Sequence, residues 1–192
     1  MKRNIIIISL ILFAGSAVAQ HDHGSGHANM PAHPKKETTH SHRAVSGFQG
    51  QLREAFATSL QLKDALILSD AAKAAEAVAQ IRIALSKVDL TLLKDEALMD
   101  WMGSLKILNE NLERIEGSND LAIQRNAFSS FSDALYKSLK ELGAGGIMVY
   151  YIQCPMANNN AGAYWLSDTK EIRNPYLGNE MLSCGKVKET IQ

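Results

Sequence analysis

The chain has 192 residues, enough for one domain with a substantial core plus tails. Its 20 Lys and Arg balance 20 Asp and Glu, which speaks against a nucleic-acid-binding face. No basic amphipathic stretch points to a helix lying on a membrane surface.

The N-terminus reads as a secretory signal peptide over residues 1–19. Lys2 and Arg3 form its positive region, Ile5 to Phe13 its apolar core and Ala17-Val18-Ala19 its cleavage site. The apolar run is short for a transmembrane span, and no cysteine lies near the cleavage site for a lipid anchor. The expected mature protein starts near Gln20 and is periplasmic or secreted, with no membrane attachment after cleavage.

Residues 20–43 form a His-rich tail. All six histidines of the chain lie here: His21, His23, His27, His33, His40 and His42. The segment is rich in Gly, Pro, Ser and Thr and lacks apolar periodicity, so it is expected to be disordered without a ligand. Imidazoles at this density suit Cu(II) or Zn(II), and Asp22 and Met30 offer further donors. The irregular spacing speaks against an expression tag. The plainer alternative is a polar linker.

Residues 44–146 carry helical periodicity in four segments. Phe48, Leu52, Phe56 and Leu60 recur at four-residue steps, followed by Leu66. Ser69-Asp70 supplies N-cap chemistry for a second, alanine-rich segment carrying Ala71, Ala75, Val78, Ile81, Leu85 and Val88. Leu98, Trp101, Leu105, Leu108, Leu112 and Ile115 mark a third. Ser118 is the candidate cap of a fourth, with Leu121, Phe128, Phe131, Leu135, Leu139 and Leu142 on one stripe, ended by Gly143 and Gly145-Gly146. The expected fold class is all-α: an antiparallel four-helix bundle. Without histidine the bundle lacks the Glu-x-x-His pairs of di-metal bundles. Met99 and Met102 read as filler. Arg125 reads as an ion-pair partner of Asp70 or of a loop carboxylate.

Residues 147–192 read as a Cys/Met loop module packed on the bundle. Ile147 to Gln153 is β-branched and aromatic, a short strand or extended segment leading to Cys154. Pro155 fixes the following turn. Asn158-Asn159-Asn160 and Gly162 favour left-handed turns, as does Asn174-Pro175-Tyr176-Leu177-Gly178. Tyr164, Trp165 and Tyr176 supply rigid mass to hold the loop. Cys154 and Cys184 are the only cysteines, and Met156 and Met181 lie close to them. Thiolates and thioethers suit Cu(I) or Ag(I). The competing reading is a Cys154–Cys184 disulfide with the methionines as packing, a bridge closing about 30 residues and contributing roughly 3–4 kcal/mol.

The motifs CPMA, AYWLS, EIRNPY-x-G and ML-x-CG, with LKDAL and QR-x-x-F-x-x-x-S-x-AL upstream, resemble a bacterial family of unknown function. The likeness runs from about Phe48 to Ile191. That family occurs as exported stand-alone proteins and as an appendage on periplasmic adaptors of heavy-metal efflux pumps. The resemblance implies a helical bundle with a Cys/Met loop, copper or silver traffic, and characteristic sulfurs at Cys154, Met156, Met181 and Cys184. The Cys-Pro-Met piece is also similar to the Cys-Pro-Met-His-Pro tags of copper-handling proteins, but Ala157-Asn158 replaces the His-Pro.

Two functions follow as expectations. The first is a periplasmic copper- or silver-binding protein, chaperone or buffer, tied to metal efflux, with an efflux-pump adaptor as its candidate partner. The second is a disulfide-stapled helical module that docks on an envelope or efflux component. Enzyme activity is not expected: the folded part has no histidine base for a nucleophile and no glycine-rich phosphate loop after a strand.

Overall fold

The computed structural model describes residues 38–192, with side chains from residue 47 onward. Four long helices come first: α1 (Thr38–Ile67), α2 (Ala71–Ser86), α3 (Asp95–Glu116) and α4 (Leu121–Leu142). Helix α1 begins ahead of the boundary at residue 44. The segment read as a signal peptide, and His21, His23, His27 and His33, lie outside the described residues. His40 and His42 fall in the first turns of α1, where side chains are not described.

Short connections turn the chain back on itself. Asp70 caps α2 by accepting from the Lys73 N–H at 3.0 Å. Asp120, rather than Ser118, caps α4, accepting from the Ala122 N–H at 2.7 Å. Ser118 Oγ instead accepts from the Asp120 N–H and braces the capping residue. The carboxylate is placed to satisfy the first-turn donors that a helix leaves open. Gly143 ends α4 at φ 94°, a conformation that costs any residue with a Cβ.

Apolar stripes face inward as their periods require. Phe48, Leu52, Phe56, Leu66, Val78, Ile81, Trp101, Leu108, Leu112, Ile115, Phe128, Phe131, Leu135 and Leu139 are all buried. In α2, Ala74, Ala77 and Ala84 are buried, so small side chains there let α1 and α3 approach. Helices α1 and α2, α2 and α3, and α3 and α4 pack as neighbours, and α1 also meets α4. Met99 and Met102 are exposed and take no part in the core. No helix among the described residues is long and apolar enough to cross a membrane.

The all-α reading is corrected at the C-terminus. Strands β1 (Val149–Cys154), β2 (Ala163–Ser167) and β3 (Lys186–Ile191) form an antiparallel sheet in the order β2-β1-β3. The stretch read as a loop module is thus a small sheet plus the 168–185 loop. β1 falls where the extended segment was expected, but an isolated strand cannot satisfy its own backbone groups. Its partners are weakly marked in the sequence, because AYWLS is short and KVKETI looks polar. In the fold the alternation of KVKETI is the signature of an edge strand: its Lys residues face water while Val187, Glu189 and Ile191 turn inward to differing degrees.

The sheet docks on α4 through tyrosines. Tyr136 of α4 stacks on Tyr151 of β1 at 3.7 Å between ring centroids, and Tyr151 stacks on Tyr164 of β2 at 4.7 Å. The Tyr151 hydroxyl donates to Asp133 at 2.7 Å, and the Tyr136 hydroxyl donates to Glu189 at 2.6 Å. Lys140 Nζ also donates to Glu189. The Tyr136 and Lys140 hydrogen bonds hold the Glu189 carboxyl below its ordinary pKa. Burial pushes the Asp133 carboxyl up, and the bond from Tyr151 only partly opposes this.

Candidate functional site

Sheet register brings the two cysteines together. Cys154 ends β1, and β3 starts just after Cys184, with Gln153 paired to Lys186 across the ladder. The end of one strand and the start of its neighbour therefore meet. Cys154 Sγ and Cys184 Sγ stand 2.8 Å apart, with no bond between them. Cys154 is fully buried, and Cys184 is half-buried. The hydrogen bond shared with Cys154, then burial, raises the Cys184 thiol pKa; the Met156 N–H pulls weakly the other way.

The loop from 168 to 185 is held against this point by Asn174, which is buried to 0% exposure. Its Oδ1 accepts from the N–H groups of Tyr176 (2.7 Å) and Leu177 (3.1 Å), forming an Asx turn. Its Nδ2 donates to the Cys184 carbonyl at 2.7 Å. One amide thus shapes the NPYLG turn and pins the second cysteine. The turn was legible in the sequence; the role of Asn174 as its hub was not. A short polar residue before Pro was the available signal.

Gly185 follows the thiol at a close approach. A Cβ there would lie 2.7 Å from the Trp165 ring and 3.1 Å from Ile172. The Trp165 ring in turn meets Tyr176 edge-on at 6.1 Å, and Tyr176 meets Phe128 of α4 at 5.9 Å. The Tyr176 hydroxyl donates to the Tyr164 carbonyl. The aromatic residues do fasten the loop to the bundle, with Tyr176 as the bridge.

The methionines behave differently from packing residues. Met156 is 44% exposed and Met181 is 41% exposed. The Met181 carbonyl accepts from the Cys184 backbone N–H at 3.1 Å. Among the described residues no group of three or more His, Cys, Asp or Glu side chains is gathered. The sulfurs brought together here are the two thiols; Met156 and Met181 are near them along the chain, two residues from Cys154 and three from Cys184.

Arg125 departs from its expected ion pair. Its Nε donates to the Pro175 carbonyl (2.9 Å), and its Nη2 to the Leu66 carbonyl (3.2 Å) and Ser69 Oγ (2.9 Å). It therefore ties α4 to the end of α1 and to the NPYLG turn. Asp70 is occupied elsewhere, with Lys73 at 3.0 Å. Gly178 makes this clamp possible: at φ 53°, its Cβ would lie 2.7 Å from Ser69 Oγ and 3.0 Å from Arg125 Nη2.

A family model described as "Protein of unknown function (DUF3347)" matches residues 55–145. The matched stretch runs from within α1 to the glycines after α4 and stops short of the sheet and both cysteines. No curated protein and no solved structure matches the chain.

Proposed function

We propose that the chain is a periplasmic copper- or silver-binding protein, a chaperone or buffer linked to metal efflux. Cys154 and Cys184 serve as thiolate ligands, with Met156 and Met181 as thioether donors for Cu(I) or Ag(I). The observation that carries the reading is the convergence of the two cysteine sulfurs, 2.8 Å apart, with the largely exposed Met156 and Met181 close to them in the chain. Packing would bury those methionines; soft-ion capture needs them accessible. The histidines of the tail supply a separate Cu(II) or Zn(II) capture segment. A periplasmic adaptor of a heavy-metal efflux pump is the proposed partner.

One observation favours a second reading, a disulfide-stapled partner-binding bundle. At a metal–sulfur distance of about 2.3 Å, two thiolates on one ion stand roughly 3.8–4.6 Å apart. The observed 2.8 Å is shorter, so the pair must spread to take an ion but draw only slightly closer to form a bond. A sulfur in a disulfide is no longer a thiolate ligand, so the two states exclude each other.

Thiol titration of protein taken from its export compartment, followed by Ag(I) binding before and after reduction, separates these readings. Under the proposed function, the reduced protein binds Ag(I), and replacing both Met156 and Met181 with Leu weakens binding by more than about tenfold. The double change conserves volume and should cost less than about 1.5 kcal/mol per position. Equal Ag(I) affinity in the two reduced proteins removes the thioethers from the site. A native protein in which no thiols titrate, and whose ion binding the Met changes leave unaltered, is the stapled module instead.

The tail is tested separately. Deleting residues 20–37 removes His21, His23, His27 and His33. Most Cu(II) or Zn(II) stoichiometry should disappear, while Ag(I) binding by the reduced thiols persists. Unchanged Cu(II) and Zn(II) stoichiometry would rule out capture by these imidazoles.

A further inference from the structure

A cleft of about 550 Å³ is walled by Arg125 and Asn126 of α4, Met156, Asn158, Asn159 and Asn160. Three features set it apart. First, Asn158, Asn159 and Asn160 are all left-handed, at φ 51°, 55° and 70°. Consecutive non-glycine residues rarely hold this conformation, and such strain gathers where a surface is shaped for a ligand. Second, the three side-chain amides make no hydrogen bond among the described residues, so their donors remain available to the cleft. Third, Arg125 spends Nε and Nη2 on protein oxygens and leaves the two N–H groups of Nη1 without a protein acceptor among the described residues. No carboxylate among the described residues forms an ion pair with it. Burial lowers its pKa, and the more distant Glu180 only partly offsets this. A half-buried guanidinium fixed in place, with one edge open and no carboxylate in direct contact, is placed to take an incoming anion.

We propose that this cleft binds a carboxylate ligand, held by Arg125 Nη1 and by the side-chain amides of the left-handed Asn158–Asn160 turn. A guanidinium edge matches a carboxylate, while neutral amide donors add bonds without a second charge to desolvate. The volume lies in the range of small-ligand pockets and admits an amino acid, a tricarboxylate, or the acidic end of a peptide. Because Met156 forms part of the wall, a bound ligand sits against that side chain. The inference does not depend on metal binding and is tested on metal-free protein.

Titration calorimetry on the metal-free full chain, using citrate, free glutamate and an acetylated, amidated tetraglutamate peptide, reads the site directly. At least one probe should bind saturably, more weakly at high salt. Asn159→Asp should weaken that binding by about tenfold or more with an unchanged melting temperature, since Asp tolerates the left-handed region as Asn does. Arg125→Lys should also weaken binding, but it sacrifices three structural hydrogen bonds, so the Asn159 variant carries the decision. Binding of citrate or glutamate without the peptide identifies a small-molecule ligand. Binding of the peptide alone identifies an acidic segment of a partner. Failure of all three probes to saturate, or equal binding by the Asn159→Asp protein, overturns the proposal.

Discussion

Replacing Trp101 with alanine should lower stability by about 3–5 kcal/mol, a fall in melting temperature of roughly 6–20 °C for a chain of this size. Trp101 is fully buried and, with Trp165, is one of the two largest enclosed side chains. It receives the Phe48 ring edge-on at 5.3 Å with planes 85° apart, so it joins α3 to α1 across the bundle. Truncation would remove both the apolar area and that contact, leaving a cavity which rigid neighbours cannot fill. One feature tempers the loss: the Trp101 indole N–H is buried without a partner among the described residues, and an unpaired buried donor costs the native fold. Trp101→Phe discards that orphan donor while keeping most of the volume, so it should cost much less than the alanine change. Urea denaturation of the three proteins measures both effects. A loss below about 1 kcal/mol for Trp101→Ala would mean that this position is not the central packing point of the bundle.

The bundle was legible because its signals are local. Three-and-four spacing identifies a face whatever packs on it, and Trp101, Leu108, Leu112 and Ile115 are buried as that spacing requires. The sheet was not, because pairing joins residues far apart in sequence. Nothing local in KVKETI says that it lies beside VYYIQC, with a bulge between Tyr151 and Ile152. The same logic holds at the site. Cys154 and Cys184 stand out by residue type, yet their contact follows from strand register. The partners of Arg125 do not follow from its type: a charge suggests a carboxylate, whereas here the guanidinium binds two backbone carbonyls and a hydroxyl. Carbonyl oxygens are present at every residue, so no sequence pattern marks which ones a side chain will meet. Asn158, Asn159 and Asn160 are the opposite case. Asn tolerates positive φ locally, so the left-handed turn could be expected from the residues alone.

Replacing Asn174 with alanine should cost about 3 kcal/mol or more and loosen the thiol pair at the same time, since each buried polar group left unpaired costs about 1–3 kcal/mol. The Asn174 side chain satisfies two backbone donors, at Tyr176 and Leu177, and one acceptor, the Cys184 carbonyl. Its own N–H and carbonyl also bond across the loop, to the Leu182 carbonyl and from the Gly178 N–H. Alanine cannot replace the tie to Cys184, so reagents that now meet a buried Cys154 should gain access. In reduced protein, alkylation of Cys154 is expected to quicken relative to Cys184. Asn174→Asp divides the two roles. The Oδ1 of the new side chain can still shape the turn, but an ionised second oxygen would face the Cys184 carbonyl and repel it. The protonated acid can donate to that carbonyl, so folding raises the pKa of the new carboxyl. Stability from this contact is full below the ordinary carboxyl range and lost as pH rises through the folded value. The Asn174→Asp protein should thus approach wild-type stability near a pH of about 4, at the ordinary carboxyl range, and fall behind it near neutrality. Melting curves under the two conditions, paired with alkylation rates, measure the turn and the tether independently. If Asn174→Ala leaves both the melting temperature and Cys154 protection unchanged, the contacts of Trp165 and Tyr176 alone hold the loop closed.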